Sequence, residues 1–234
     1  IAQAIRGEWK PLLALGLLYV TIPNVAQNLG LQHGTSSIAS VIQSSGPVMT
    51  LIFATLLLKE ALTKTKAMGT VVAMAGTVLL VASEGISLEN EDFVSNVLIL
   101  ISATSYGLAW VSAKNMLARN PPVLMIGLSL LIGTTLLGLA VPFEHGLLMD
   151  LNQHSILNIA VLGFLCAGVS SVLYLGSLEH EEVSRMAFFI YLMPVFASVF
   201  AWAIRGEGVA SWTAFCGVVI VAGIAIANKN GKTR

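Results

Sequence analysis

Charge is what this chain has least of. Twelve basic and twelve acidic residues make up 10% of its 234 positions, against about a quarter in a soluble domain. Net charge is zero, so no basic field marks a nucleic-acid partner. Cysteine is nearly absent too. Cys166 and Cys216 both fall within apolar stretches, where they form neither a disulfide framework nor a metal motif and read as small apolar packers. No metal and no cofactor is expected. Glu179, His180, Glu181 and Glu182 lack the second histidine of a zinc-protease signature, and no Gly-x-Ser-x-Gly turn occurs, so the chain does not read as an enzyme.

Apolar residues are abundant, 56% of the chain with mean hydropathy +0.85. Crossing a hydrocarbon core of about 30 Å at about 1.5 Å per residue takes roughly 20 residues. Eight windows approach or exceed that length: Pro11 to Gly30, Ser36 to Leu58, Ala67 to Ser83, Phe93 to Ala113, Pro122 to Phe143, Ser155 to Leu178, Met186 to Ile204 and Gly208 to Asn228. Backbone within lipid must satisfy its own hydrogen bonds, and windows this long do so as helices. The expectation is an all-α, multi-pass membrane protein with eight transmembrane helices.

Its few charges are sorted. With successive windows crossing alternately, one side receives Arg6, Lys10, Lys59, Lys64, Lys66, Lys114, Arg119, Arg185, Lys229, Lys232 and Arg234, and the other receives Arg205 alone. Basic loops stay in the cytoplasm, which places both termini there, in a plasma or inner membrane. The acidic loop of Glu84, Glu89, Glu91 and Asp92 then faces outward.

The chain also repeats itself. Shifted by 147 positions, residues 12 to 81 meet 159 to 228 without a gap and 17 of the 70 coincide, including Gly16/Gly163, His33/His180, Pro47/Pro194, Glu60/Glu207 and Gly76/Gly223. The copies begin five crossings apart, an odd number, so the second is inverted in the membrane. Secondary transporters are commonly built this way, with the substrate site near the midplane between the halves. The first copy has three windows where the second has five. Residues 1–92 therefore read as the last three helices of one repeat and 93–234 as the five of the other, a 5+5 bundle lacking its first two helices; a natural eight-helix form is the alternative.

Certain stretches suggest a family. SSIASVIQSSGPVMTLIFATLLLKEALT followed by MGTVVAMAGTVLLV, and VSRMAFFIYLMPVFASVFAWAIRGE followed by FCGVVIVAGIAIAN, each resemble an EamA-type half of the drug/metabolite transporter superfamily. The resemblance implies ten helices in two inverted five-helix repeats and export or exchange of small organic metabolites, amino-acid-like or drug-like, by alternating access. The family's Gly-Glu pair at a helix end stands as Gly206-Glu207 in the second copy and as Lys59-Glu60 in the first.

Polar residues form stripes: Thr21, Asn24, Gln27 and Asn28 on the first helix; Ser36, Ser40, Gln43, Ser44, Pro47 and Thr50 on the second; Ser102, Ser105 and Tyr106 on the fourth. Such stripes face other helices or a wet cavity rather than lipid. Repeat arithmetic pairs Asn24 with Ser171, Gln27 with Tyr174 and Ser44 with Tyr191. A substrate cavity is accordingly expected among Asn24, Gln27, Gln43, Ser44, Tyr106, Trp110, Ser171, Tyr174 and Tyr191. The alternative role for each is hydrogen bonding between helices. Pro47 and Pro194 each remove a helical hydrogen bond at matching places and read as hinges.

No ionisable residue lies mid-helix. Glu60 and Glu207 close their helices, and Glu60, beside Lys59 and Lys64, reads as a solvated interfacial ion pair. Facilitated diffusion, exchange and coupling to protons all stay open, as do monomer and homodimer, and the alternative to a transporter is a membrane-embedded enzyme or an accessory membrane protein. The expected partners are a small metabolite and the lipid bilayer.

Overall fold

A computed structural model describes residues 2–82, 93–139, 153–205 and 211–229. Those residues are helical throughout, with short connections and no strand. Seven helices are long and apolar enough to cross a bilayer, and an eighth is apolar but shorter. They are α1 (Trp9–Gln32), α2 (Ile38–Leu57), α3 (Lys64–Ala82), α4 (Phe93–Leu117), α5 (Pro122–Gly138, the shorter one), α6 (Ile156–Ser177), α7 (Val183–Phe200) and α8 (Ser211–Asn228). Each overlaps one of the eight windows, and α1, α3, α4 and α7 run two to four residues beyond theirs.

The outer surface is that of a membrane protein. Leu56, Val71, Phe93, Leu131 and Val218 are each at least 65% exposed, which water would penalise and lipid does not. The interior holds small hydroxyl residues instead. Thr50, Thr70, Thr77 and Ser129 are buried, and each donates to the carbonyl four residues earlier. Their polar atoms are thus satisfied within their own helix, and they leave room for close packing.

The closest packing joins α3 to α8. A Cβ on Gly223 would lie 2.4 Å from Ala73 N, and one on Gly76 would lie 2.9 Å from Ile220. These two contacts exchange under the 147-residue shift, since position 76 maps to 223 and 73 to 220. Gly69 approaches the Ala227 backbone still more closely. Only glycine lets two backbones meet at this distance.

Elsewhere α1 lies along α4 and against α5, α2 crosses α4, and the first turns of α7 meet α2. α6 is the least covered helix, with 6% of its apolar window buried.

Four helices are irregular, at places that the repeat matches in pairs. The helix running through α1 turns π-helical at Leu17–Thr21, and that running through α6 at Leu162–Val169. A shift of 147 carries the first segment inside the second. In α2, Ser44 and Ser45 form a turn ahead of Pro47, with Ser45 N donating to Ile42 O at 2.9 Å. In α7 a 3-10 turn, Phe189–Leu192, stands ahead of Pro194. Both helices are therefore interrupted where the prolines forbid continuous α hydrogen bonding.

Candidate functional site

The interruptions line two adjoining cavities. The larger, about 550 Å³, is of the size that small-molecule sites occupy. Gln27, Gln43, Tyr106, Trp110, Ser171 and Tyr174 are on its wall. The second, about 470 Å³, has Ser44, Tyr191 and Pro194 on its wall and shares Gln27, Gln43 and Pro47 with the first. Eight of the nine residues anticipated as substrate-binding thus line these two adjoining cavities, together with Pro47 and Pro194.

Asn24 is the exception. It lies on neither wall, and its amide donates to Val20 O at 2.6 Å within its own helix. Thr21 likewise turns from the cavity to Gly133 O of α5, at 3.3 Å. Asn24 and Gln27 share the regular helix Ile22–His33, but three residues at about 100° each set them about 60° apart around it, which is enough to turn Asn24 off the wall.

Among the wall residues that escaped the sequence reading are Tyr19 and Cys166. Each sits inside its π-helical segment, and they are repeat partners, so the alignment itself contained the signal. Cys166 is an exposed wall residue rather than an apolar packer, whereas Cys216 is buried as expected. Tyr19 shares a hydrogen bond with Ser171 across the repeats. Its ring lies 4.8 Å from that of Trp110, which lies 4.5 Å from that of Tyr174. The three rings form a floor.

Below that floor is the end of the bundle that carries Lys59, Lys64, Lys66, Lys114, Arg119 and Arg185, termed here the basic end. An apolar core occupies it, with Leu12, Leu15, Met116, Leu175, Leu178 and Val183 all buried. Polar contacts seal its outer side. Glu60 accepts the backbone N–H of Val183 at 2.8 Å and of Ser184 at 3.1 Å, and the Ser184 hydroxyl donates to it as well. Lys66, itself buried, donates to Ser184 Oγ at 2.9 Å and pairs with Glu182 at 2.8 Å. Lys114 donates to the carbonyls of Leu178 and Glu181.

Glu60 is therefore not paired with Lys59 or Lys64. It supplies acceptors to the free N–H groups at the start of α7, which has no side-chain cap of its own. Lys59 makes this reach feasible by adopting φ +58°, a left-handed conformation in which glycine is at ease. Its repeat partner in the sequence is Gly206, which lies outside the described residues, as does Glu207.

Away from the basic end, the second cavity extends to Leu31, Ser36 and Val81, which stand at or next to the far ends of their helices. Among the described residues, no Asp, Glu, Lys, Arg or His lines either cavity. Gln43 Oε1 and the hydroxyls of Tyr174 and Tyr191 are buried there without a hydrogen-bond partner. Leaving such atoms unpaired costs about 1–3 kcal/mol each; Ser45 Oγ, Ser102 Oγ and Asn228 Oδ1 are in the same condition but lie on neither wall.

Comparison with known proteins shows the family and the fold. The EamA-like transporter family matches residues 2–82 and 94–229. An uncharacterized transporter of Bacillus subtilis, YcxC, is 27% identical over 227 residues, covering 94% of this chain and 73% of that protein. An uncharacterized transporter of Archaeoglobus fulgidus is 28% identical over 198 residues, covering 81% and 68% respectively. A crystal structure 18% identical in sequence has the same fold, with a TM-score of 0.81 over 94% of this chain and 76% of its own.

Proposed function

The chain belongs to the EamA-like transporter family, and we propose that this membrane transporter moves a small organic metabolite without net charge, in export or exchange, by alternating access between two inverted repeats. Residues 1–92 and 93–234 are the two repeats in this reading. The basic end is cytoplasmic, as are both termini, and the membrane is the plasma or inner membrane.

One observation carries the proposal: the shared cavity is walled by repeat partners. Tyr19 and Cys166, Gln27 and Tyr174, Gln43 and Ile190, Gly46 and Met193, Ser44 and Tyr191, and Pro47 and Pro194 all occur on it. A space built from symmetry mates changes its access when the two halves rock, while its wall chemistry stays the same. The interrupted helices at Pro47 and Pro194 supply the places to bend.

The wall also narrows the substrate. A net charge brought into a space with no countercharge loses hydration that nothing there replaces. Gln27, Gln43, serine hydroxyls and tyrosine hydroxyls suit a neutral or zwitterionic solute, and the ring floor suits its apolar part. Lacking a carboxylate or imidazole on the wall, the cavity favours exchange or facilitated diffusion over a proton carried at the substrate site.

The test is counterflow in proteoliposomes with radiolabelled neutral, zwitterionic and net-charged metabolites. Net-neutral solutes are expected to exchange, and substitution of Gln43 is expected to slow them. Preference for a net-charged solute would refute the substrate reading. Chemical turnover of a solute without its movement would refute transport.

A further inference from the structure

The contacts that seal the basic end join one repeat to the other. Glu60 follows α2, whereas Val183 and Ser184 begin α7, and Lys66 of α3 reaches the same serine and its neighbour Glu182. We propose that Glu60 is an access latch, holding the first turn of α7 against the end of α2 and so selecting the conformer whose cavity is shut toward the basic end. This rests on the alternating-access reading above.

Three features of the geometry support a latch rather than an incidental surface pair. First, both carboxylate oxygens of Glu60 are engaged, one by Val183 N–H and the other by the Ser184 N–H and hydroxyl. Bonds to a charged acceptor are stronger than neutral ones, and helix-start N–H groups add their own partial positive charge. Second, the carboxylate is presented on a braced turn. Glu60 N–H donates to Ala54 O at 3.2 Å, and Lys59 holds the left-handed conformation that reverses the chain. Third, Ser184 serves both partners at once, donating its hydroxyl proton to Glu60 and accepting from Lys66. The serine is wholly buried, so separating α7 from α2 breaks the set together.

Opening the basic end requires that separation. The ring floor and the apolar core beneath it lie between α1, α4, α6 and the first turn of α7, with Leu178 and Val183 completely buried. Solute cannot pass until the first turn of α7 moves away from these groups. The latch sits on that turn.

The cavity contains its own reporter. Cys166 is on its wall, and Cys216, the only other cysteine, is buried. In a Cys216→Ala background, labelling of Cys166 by a membrane-impermeant maleimide is measured in right-side-out and inverted vesicles. The parent is expected to label faster from the side opposite the basic loops. Glu60→Gln should shift the ratio of the two rates at least tenfold toward the basic side, about 1.4 kcal/mol in the equilibrium. Ser184→Ala, which keeps both backbone donors, should shift it the same way by about threefold. Glu181→Gln, which removes only an exposed pair with Arg185, should leave the ratio within about twofold.

If Glu60→Gln keeps the parental ratio while counterflow continues, the latch is wrong and alternating access stands. If the parent labels equally fast from both sides, alternating access fails and the latch fails with it. Should Glu60→Gln not accumulate, Ser184→Ala decides: a shift toward the basic side supports the latch, and an unchanged ratio refutes it.

Discussion

The two ends of this bundle are made of the same eight helices, yet they solve opposite problems. At the basic end, fully buried Leu175, Leu178 and Val183 pack beneath the Tyr19, Trp110 and Tyr174 rings, and the buried polar atoms of Ser184 and Lys66 all have partners. Toward the other end the wall is uncharged but polar, and Gln43, Tyr174 and Tyr191 keep hydrogen-bonding atoms unpaired. The first arrangement resists water; the second is incomplete without a solute or solvent. If the cavities are the transport site, stability and function occupy different ends, and substitutions should separate them.

The largest effect is expected from truncation at the closed end. Leu175→Ala removes a side chain with no exposure, so it should destabilise by about 2–5 kcal/mol, read as a lower melting temperature in detergent and poor accumulation. The contrasting truncation, Met193→Ala, removes a cavity-wall side chain that is 68% exposed, and its cost should stay below about 1 kcal/mol. Equal losses from the two would erase the distinction between the ends.

Next come the unpaired polar groups. Gln43→Leu and Tyr191→Phe should reduce counterflow about two- to tenfold if a solute uses these atoms. Neither should lower the melting temperature, because no protein hydrogen bond is lost. Asn24→Leu sharpens the point. Its amide is held by Val20 O away from both cavities, so counterflow should change less than about twofold, the loss of one local hydrogen bond being modest.

The smallest effect belongs to the turn that presents Glu60. Lys59 has φ +58°, a conformation that disfavours side chains by about 1–2 kcal/mol. Lys59→Gly should therefore stabilise the protein by up to about 1 kcal/mol, once the greater freedom of unfolded glycine is subtracted. Thermal unfolding in detergent would show the rise, and a fall would mean that the lysine side chain contributes more than its backbone strain removes.

Much of this was legible beforehand. Lipid admits only self-satisfied backbone, so apolar length alone located every helix. The gapless repeat paired Pro47 with Pro194, and both helices prove to be interrupted there. Tyr19 and Cys166 were harder to see. An aromatic and a cysteine in an apolar window look like packing, and only the matched π-turns put them on the wall. Asn24 erred the other way, because an i, i+3 spacing leaves it about 60° around the helix from Gln27, where its amide meets Val20 O instead of the cavity.

Hydrophobic length, periodicity and internal repetition are local properties written along the chain, and by themselves they determined the helices, their order, the inverted relation of the halves and the polar character of the central stripes. Tertiary structure decided which polar groups face the cavity, which face a neighbouring backbone and which end is closed. The partner of Glu60 shows why. Its nearest charges in sequence are Lys59 and Lys64, but its bonds run to Val183 and Ser184, more than a hundred residues away. Packing of the two repeats brings unfilled helix-start donors within reach, and a carboxylate is held more strongly by buried donors than by lysines that water already solvates.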